Sequence, residues 1–346
     1  MKKIVLASVF LFVFSLTGAA LAGIPGALDK TGSATLIVPF FEVGINASQD
    51  PLDTLAVVYN MATSDTRIHY HVWDINGNPT DLYGNLELSG NNSWSATMRG
   101  LISASTSTVQ TALTDGNYYR GFMTIDVVTA NTTDDPTEAG YPFATGASTN
   151  VLEGFVYFVR LSEGSSNSMS MIPINWVPTT TQFRIEDLYQ SGDQREEFDA
   201  TAKGCAEHEA SGAAGPCVDD GVIARVDSRV FLSSALNAST RIILFTWNPK
   251  AVGGPSAWCD THSCATDYDY KQYDENGNLV TDTTIRLANV VNIINVSGTT
   301  NGLVSIQGIV DDPLNYHVYG FSITNASPSS GPSANWDAIL PSYIEP

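Results

Sequence analysis

Two stretches of the chain carry the same run of oxygen-bearing side chains. Residues 71–82 read HVWDINGNPTDL and residues 271–282 read KQYDENGNLVTD, so an aromatic residue precedes Asp-x-Asn-Gly-Asn in both. Calcium takes about six to eight oxygen ligands, largely from carboxylates, amides and carbonyls. The candidate ligands are the acidic and amide side chains of the two stretches: Asp74, Asn76, Asn78, Asp81, Asp274, Asn276, Asn278 and Asp282.

The same stretches also fit hairpin turns. A helix–loop–helix calcium site needs Gly at the sixth loop position and Glu at the twelfth. Here Gly stands fourth, and the twelfth residue is Asn85 or Ile285. Asn-Gly between strand-like flanks is a strong hairpin signal because both residues tolerate positive φ. The sequence favours two hairpins, with calcium as the alternative and no other cofactor indicated.

A histidine pair is the second candidate site. His69 and His71 are two residues apart, so on a strand both side chains point to one face, where they could clamp a metal ion for catalysis. The alternative is an exposed polar face shared with Arg67. Asp269 and Lys271 stand at the matching positions of the second stretch, so the fold does not need the histidines. No hydrolase or metalloprotease motif occurs, and the sequence predicts a protein that is not an enzyme.

Aromatic residues near the second stretch are candidates for ligand binding. Exposed rings on a sheet can stack on sugars or anchor a protein partner, although rings on strands are often core residues or cross-strand pairs. The candidates share a short region of the chain: Trp258, Tyr268, Tyr270 and Tyr273.

The first residues of the chain predict export. Lys2 and Lys3 precede an apolar run, Ile4–Leu16, and a small-x-small pattern ends at Ala22. This pattern is typical of a signal peptide for the Sec pathway over residues 1–22, with an uncleaved anchor as the alternative. No later stretch approaches about 18 unbroken apolar residues, so no transmembrane segment is expected after cleavage. The expected location is periplasmic, cell-surface or extracellular.

Cysteine content agrees with an oxidising compartment. An exported chain with four cysteines is expected to form two disulfides. The favoured pairing is local, Cys205–Cys217 and Cys259–Cys264, because each pair falls in one polar, glycine-rich loop. A zinc site is the alternative, although the cysteine spacings fit zinc motifs poorly. The residues are Cys205, Cys217, Cys259 and Cys264.

Charge excludes two classes of partner. The chain has 36 acidic and 16 basic residues, a net charge of −20. Such a surface repels nucleic acid and anionic lipid. The expected partner is therefore a protein or a glycan at the cell envelope; the oligomeric state is left open.

The patterns between these candidate sites predict an all-β protein. Thr, Val, Ile, Tyr and Phe are frequent and turn residues recur at short intervals, which favours many short strands in sandwiches. We predict two tandem immunoglobulin-like antiparallel β-sandwich domains with an irregular, partly helical linker. The first domain covers 23–178, the charged linker with a disulfide loop covers 179–220, and the second domain covers 221–346.

An internal repeat supports the duplication. Four short matches follow one another in the same order, about 190 to 200 residues apart: residues 41–48 with 231–239, 54–60 with 240–248, 71–78 with 271–278, and 117–122 with 315–321. Each match alone is short, but their order indicates a duplicated domain.

The opening strands also show a resemblance. Residues 35–44 read TLIVPFFEVG, residues 54–60 read TLAVVYN and residues 68–78 read IHYHVWDINGN. The succession resembles uncharacterised exported bacterial proteins with immunoglobulin-like β-sandwich domains, mainly over residues 33–80. The resemblance implies the fold and export, and no activity. The function expected from all these features is that of an exported, non-enzymatic structural or interaction protein. The alternatives are a carbohydrate- or calcium-binding module and a metal-dependent enzyme.

Overall fold

The structure is a computed structural model. It describes residues 32–46, 51–136, 140–160, 165–174, 225–233, 238–246, 266–298, 301–308, 318–326, 336–341 and 343–345. The predicted signal peptide, the 179–220 linker, the four cysteines and Trp258 lie outside the described residues. None of the helices in the described ranges is long and apolar enough to cross a membrane.

The first half of the described chain contains ten strands and two short helices. The strands are β1 Thr35–Gly44, β2 Leu52–Asn60, β3 Thr66–Asp74, β4 Pro79–Leu88, β5 Ser93–Thr97, β6 Thr114–Asp115, β7 Tyr118–Val127, β8 Leu152–Arg160, β9 Ser165–Ser170 and β10 Ile172–Ile174. The helices are α1 Met98–Ser103 and α2 Ser107–Ala112, and a 3-10 turn covers Ala147–Thr149. Thr97 and Thr106 cap the two helices through their side-chain oxygens, as short helices with unsatisfied N–H groups require.

The described residues of the second half contain nine strands. They are β11 Arg225–Val230, β12 Ser239–Thr246, β13 Thr266–Asp274, β14 Leu279–Leu287, β15 Val291–Asn295, β16 Gly302–Gly308, β17 Val318–Ala326, β18 Trp336–Pro341 and β19 Tyr343–Glu345. The prediction of an all-β protein is confirmed.

The two halves repeat one strand order. Sheet I has the order β10-β1-β7-β3-β4, with β6 on β7, and sheet II has the order β5-β2-β8-β9. Sheet III reads β19-β11-β16-β13-β14 in the same direction, and sheet IV reads β15-β12-β17-β18. Every strand of the second half therefore has a counterpart in the first half, and only β6 is without one among the described strands.

One of the four sequence matches between the halves is wrong, and a second is displaced by one residue. Of the matched residues, 118–122 lie in β7 and 318–321 lie in β17, yet the counterpart of β7 is β16. The register shows why, because Asp74 pairs with Gly121 and Asp274 pairs with Gly302. A Cβ atom at either glycine would lie 2.0 or 1.9 Å from a backbone carbonyl oxygen of the adjacent strand.

The displaced match concerns the ends of β1 and β11. The Thr54 hydroxyl exchanges hydrogen bonds with the backbone of Glu42, and the Thr240 hydroxyl does so with the backbone of Phe231. Phe231 is therefore the counterpart of Glu42, and not of Phe41. A register shift between Val38 and Phe41 gives β1 one residue more than β11 over this stretch, which displaces the match by one position.

Strand β12 of sheet IV is buried on both faces between Ile242 and Phe245. Ile242 and Leu244 point into the core between sheets III and IV, whereas Ile243 and Phe245 join the core of the first half. Neighbouring side chains of a strand point to opposite faces, so the run Ile-Ile-Leu-Phe in β12 supplies two cores. The core of the first half therefore extends onto the outer face of sheet IV. All described residues belong to a single compact unit.

Candidate functional site

The histidine pair lies inside the protein. His69 is fully buried and His71 is 3% exposed, in the middle of sheet I between β4 and β7. The Tyr83 ring stacks on both imidazoles at centroid distances of 5.8 and 5.9 Å, and Tyr141 contacts His69 edge-on. The expectation of an exposed polar face is wrong, because the Tyr83 ring covers both imidazoles and Tyr141 covers His69.

Burial keeps both imidazoles neutral at pH 7. It lowers the pKa of His71 to about 4, with the nearby charge of Asp135 opposing the shift. It also lowers the pKa of His69, against the Asn85 hydrogen bond and the charge of Asp134. Nδ1 of His69 lies 3.2 Å from the Asn85 side-chain oxygen. Nε2 of His69 makes no hydrogen bond within the described structure.

The described residues contain no group of three or more His, Cys, Asp or Glu side chains arranged to hold a metal ion. A metal at His69 and His71 therefore stays a prediction from the sequence. The neutral rings could accept protons or a ligand only after Tyr83 and Tyr141 move away, since these side chains cover them.

The two Asp-x-Asn-Gly-Asn stretches form hairpin turns, as predicted. Asp74 Oδ1 accepts the backbone N–H of Asn76 and of Asn78, and Oδ2 accepts the Asn78 side-chain amide at 2.8 Å. The backbone N–H of Asp74 donates to the carbonyl of Asn78, and Gly77 has a φ of 89°. The carboxylate thus stabilises its own turn, which is a different role from calcium coordination.

The second turn repeats this geometry. Asp274 Oδ1 accepts the backbone N–H groups of Asn276 and Asn278, and Oδ2 accepts the Asn278 side-chain amide. These hydrogen bonds, first among them the one from the Asn278 amide, lower the pKa of Asp274. Asp81 and Asp282 are exposed and lie on β4 and β14, beyond each turn. Calcium binding stays a prediction.

The aromatic candidates of the second half separate in the structure. Tyr268 and Tyr270 are 1% and 7% exposed and belong to the core between sheets III and IV. A ligand-stacking role for these two is wrong, and the alternative of core packing is confirmed. Tyr273 is half-buried on the same strand.

A buried ion cluster joins the two halves. Glu42 on β1 accepts two hydrogen bonds from Arg241 on β12, at 2.7 and 2.9 Å, and one from Arg120 on β7 at 2.7 Å. A second guanidinium nitrogen of Arg120 lies 2.6 Å from the same carboxylate as an ion pair. Burial alone would raise the pKa of Glu42, but the guanidinium groups of Arg241 and Arg120 bring it below its usual value. The carboxylate is therefore ionised, and its position 199 residues from Arg241 fixes one half against the other.

The outer face of sheet II carries the exposed feature that best fits an interaction site. Its two central strands, β2 and β8, direct an apolar and aromatic stripe outward: Leu55, Val57, Tyr59, Phe155, Tyr157 and Val159. The flanking strands β5 and β9 direct hydroxyl groups to the same face: Ser93, Ser95, Thr97, Ser166, Ser168 and Ser170. Tyr59 is 38% exposed and its ring meets Phe155 edge-on at 6.3 Å, and the rest of the stripe is half-buried.

Sequence reasoning missed this face and the ion cluster. The available signal was that β2 and β8 are apolar in both phases of their alternation, as in LAVVY and FVYFV. Such a strand is either buried on both faces or has an apolar face outside. No local pattern pairs Glu42 with Arg241, because their contact depends on how the halves pack.

Comparison with known proteins shows no family. No protein-family description and no curated protein matches the chain. Among solved structures, a lectin from Pleurotus ostreatus in complex with GalNAc has 8% identity and a TM-score of 0.19, covering 91% of this chain and 79% of its own. A putative beta-galactosidase from Bacteroides fragilis has 8% identity and a TM-score of 0.14, covering 88% and 31%. At these TM-scores neither likeness bears on fold or function.

Proposed function

We propose that the protein is an exported, non-enzymatic structural or interaction protein built from two immunoglobulin-like sandwiches, and that the outer face of sheet II is its interaction surface. The observation that carries the proposal is the apolar and aromatic stripe on β2 and β8, bordered by hydroxyl rows. Contiguous apolar patches on a soluble surface mark interaction sites more often than scattered apolar residues do. Tyrosine and phenylalanine are also enriched among residues that dominate binding energy.

The buried histidines support a non-enzymatic role. Catalytic histidines must reach the substrate, whereas Tyr83 and Tyr141 cover His69 and His71. Export rests on the leader-like residues 1–22, and the envelope or the extracellular space is therefore where the partner is expected.

Binding to isolated cell envelopes tests the proposed surface. We expect residues 23–346 to co-sediment with envelopes from the producing cells, and Tyr157→Ser to weaken this at least tenfold by shortening the stripe. Thr284→Ser is the matched control, because Thr284 is exposed on β14 of sheet III. Equal binding by wild type and Tyr157→Ser, with both proteins folded, would exclude this face.

A second candidate function is glycan binding by the same face. Three outward rings, Tyr59, Phe155 and Tyr157, lie between rows of Ser and Thr hydroxyls, and sugar rings both stack on aromatics and hydrogen-bond to hydroxyls. A glycan array tests it. Hits that are lost in Tyr157→Ser and kept in Thr284→Ser support it, and an array without hits excludes it.

A further inference from the structure

We infer that the partner of the sheet II face is the second half of another copy of this chain, joined head to tail. The inference rests on the proposed function, because it names the occupant of that face. It follows from what the equivalent face does in the second half. There the counterpart face, on sheet IV, already packs on a surface of the first half.

The joint within the chain has a defined set of contacts. Phe245 of sheet IV meets Phe122 edge-on at 5.3 Å, and Phe321 lies 6.5 Å from Phe40. At the rim of these rings, Arg241 binds Glu42 through both guanidinium NH groups. The sheet IV face therefore contributes rings and one cation, and the first half contributes rings and one anion.

Strand register transfers the sheet IV face onto sheet II. Val58 pairs with Gly154 and Leu244 pairs with Gly320, so β2 corresponds to β12 and β8 to β17 residue by residue. The outward positions then match as follows: Arg241 with Leu55, Ile243 with Val57, Phe245 with Tyr59, Phe321 with Phe155 and Ile323 with Tyr157. The sheet IV residues of these pairs lie against the first half. The sheet II residues form the outward stripe, in which Tyr59 is exposed and the others are half-buried.

The receiving surface transfers in the same way. Glu42 corresponds to Phe231 through the threonine hydrogen bonds, and Phe122 corresponds to Leu303 because each follows the glycine paired with an Asp. Phe41 pairs with Gly121 and Val230 pairs with Gly302, so the residue before each, Phe40 and Arg229, also correspond. We call Arg229, Phe231 and Leu303 the tail surface.

The tail surface is accessible. Phe231 is 40% exposed, Arg229 is exposed and Leu303 is half-buried. An exposed Phe at the position where the first half buries an anion has no role in the core of its own half. Its exposure fits a surface that receives another chain.

The substitutions at the two free surfaces are complementary. Where the internal joint pairs Glu42 with Arg241, the joint between chains would pair Phe231 with Leu55, so an ion pair is replaced by an apolar contact. Where Phe122 meets Phe245, Leu303 would meet Tyr59. Where Phe40 meets Phe321, Arg229 would lie over the Phe155 ring next to Glu153, which allows a cation–π contact and an ion pair. Each change on one surface is matched on the other.

A head-to-tail contact has a distinctive consequence. The sheet II face and the tail surface differ, so an assembly of any length still has one free sheet II face and one free tail surface. Growth therefore continues unless the rotation between neighbouring chains closes a ring. The mass is therefore expected to rise steadily with concentration. Because the chain carries a net charge of −20, added salt is expected to favour association by screening repulsion.

Charge exchange between the two surfaces provides the test. Light scattering after size exclusion is expected to show that the wild-type mass grows with concentration. Leu55→Arg alone and Phe231→Glu alone each place an unpaired charge against an apolar residue and should weaken association at least tenfold. The double variant recreates the internal ion pair at the joint, and an equimolar mixture of the two single variants does so at alternate joints. Both are expected to recover assembly.

Thr284→Arg and Thr284→Glu are matched controls, since they add the same charges to exposed β14 of sheet III, and both should assemble as the wild type does. A wild type that stays monomeric at every concentration, or forms a dimer unaffected by Phe231→Glu, overturns the inference. Circular dichroism identifies variants that fail to fold, and in that event the wild-type mass and the remaining single variant still decide.

The two proposals fail separately. A monomeric protein that binds envelopes or glycans in a Tyr157-dependent way retains the proposed surface and removes the self-association. Assembly that persists in Leu55→Arg and Phe231→Glu but is lost in other surface variants removes the self-association at this face. Envelope binding that is equal in the wild type and Tyr157→Ser then removes the proposed surface as well.

Discussion

At the scale of single residues, the molecule keeps ionisable groups in its interior for structural purposes. His71 is neutral because burial disfavours the imidazolium, which lowers its pKa to about 4. The unfolded chain, with a pKa near the ordinary value of about 6.5, binds more protons than the folded chain below that pH. The contribution of His71 to the free energy of unfolding is therefore fully present above about pH 6.5 and is lost as the pH falls towards 4.

This difference predicts an acid-sensitive protein. Between pH 6.5 and 4, His71 alone should lower the free energy of unfolding by about 3 kcal/mol. His71→Phe removes the titrating group, so its stability should fall less over this range, whatever its stability at pH 7. Urea denaturation at pH 7, 6 and 5 measures both proteins. Parallel pH dependences for wild type and variant would show that His71 is not the group responsible.

Glu42 provides the opposite case, a buried charge held by two partners. Glu42→Gln keeps the shape but removes the carboxylate from the guanidinium groups of Arg241 and Arg120, of which Arg120 keeps its ion pair with Asp115. Removing one partner of a buried ion pair costs about 3–5 kcal/mol because the remaining charge stays desolvated. Thermal or chemical unfolding should show this loss.

An exposed ion pair in the same protein is the control for Glu42. Arg286 lies 3.3 Å from Asp267, and their side chains are 64% and 48% exposed. Asp267→Asn should cost under about 1 kcal/mol. If Glu42→Gln costs no more than this, the ion cluster does not stabilise the joint between the halves.

At the scale of elements, each Asp-x-Asn-Gly-Asn turn is stabilised by its own Asp. Asp74→Ala removes three hydrogen bonds of 2.8–2.9 Å from a buried carboxylate and should destabilise the protein by about 1–3 kcal/mol. Because the oxygens already accept hydrogen bonds from the turn, we expect neither a chelator nor added calcium to change the Tm. A Tm that rises with calcium in the wild type, and no longer does so in Asp74→Ala, would instead establish the calcium site.

Most of the strands with an apolar inner face could be predicted from the sequence. Thr35–Gly44 is buried along its whole length, and the β-branched and aromatic residues of β3 and β12 identify those strands. Strand Leu279–Leu287 is hard to predict from the sequence, because this edge strand is largely exposed and lacks an apolar alternation. The two six-residue helices are hard to predict as well, because they depend on their Thr97 and Thr106 caps and on packing.

The candidate sites were harder to predict for a physical reason. The Asp-x-Asn-Gly-Asn turns are local, and a local pattern was enough to predict them. Whether His69 faces solvent depends on where residues 129–150 fold, and whether Arg241 meets Glu42 depends on how two halves pack. Both are properties of long-range contacts, which spacing along one strand does not contain.

At the scale of the whole molecule, the two halves have the same strand order but differ in which of their faces are covered. The two halves share one strand order, yet the same face is buried in sheet IV and open in sheet II. Sheet IV can be buried on both sides because β12 is apolar in both phases, and β2 has the same property without a second cover. The molecule therefore has one internal joint, and the counterparts of the two surfaces that form it, the outer face of sheet II and the tail surface, lie outside that joint.

The shared core predicts one unfolding transition. Ile243, Phe245 and Phe321 of the second half pack with residues of the first half, so separating the halves would expose both rings and the Glu42–Arg241 pair. We expect the full chain to unfold in a single cooperative step, with calorimetric and van't Hoff enthalpies in agreement. Residues 221–346 expressed alone should be destabilised or aggregated, since the face of sheet IV would then be uncovered.

Arg241→Glu extends the same test within the full chain. The substitution places two carboxylates together at the joint and removes the rim of the interface, while the core between sheets III and IV is untouched, because Arg241 points away from it. A weakened joint should split the unfolding curve into two steps, with the second half unfolding first. Two steps already in the wild type, or a stable isolated second half, would mean that the halves fold as independent domains and that the apolar joint contributes little to their stability.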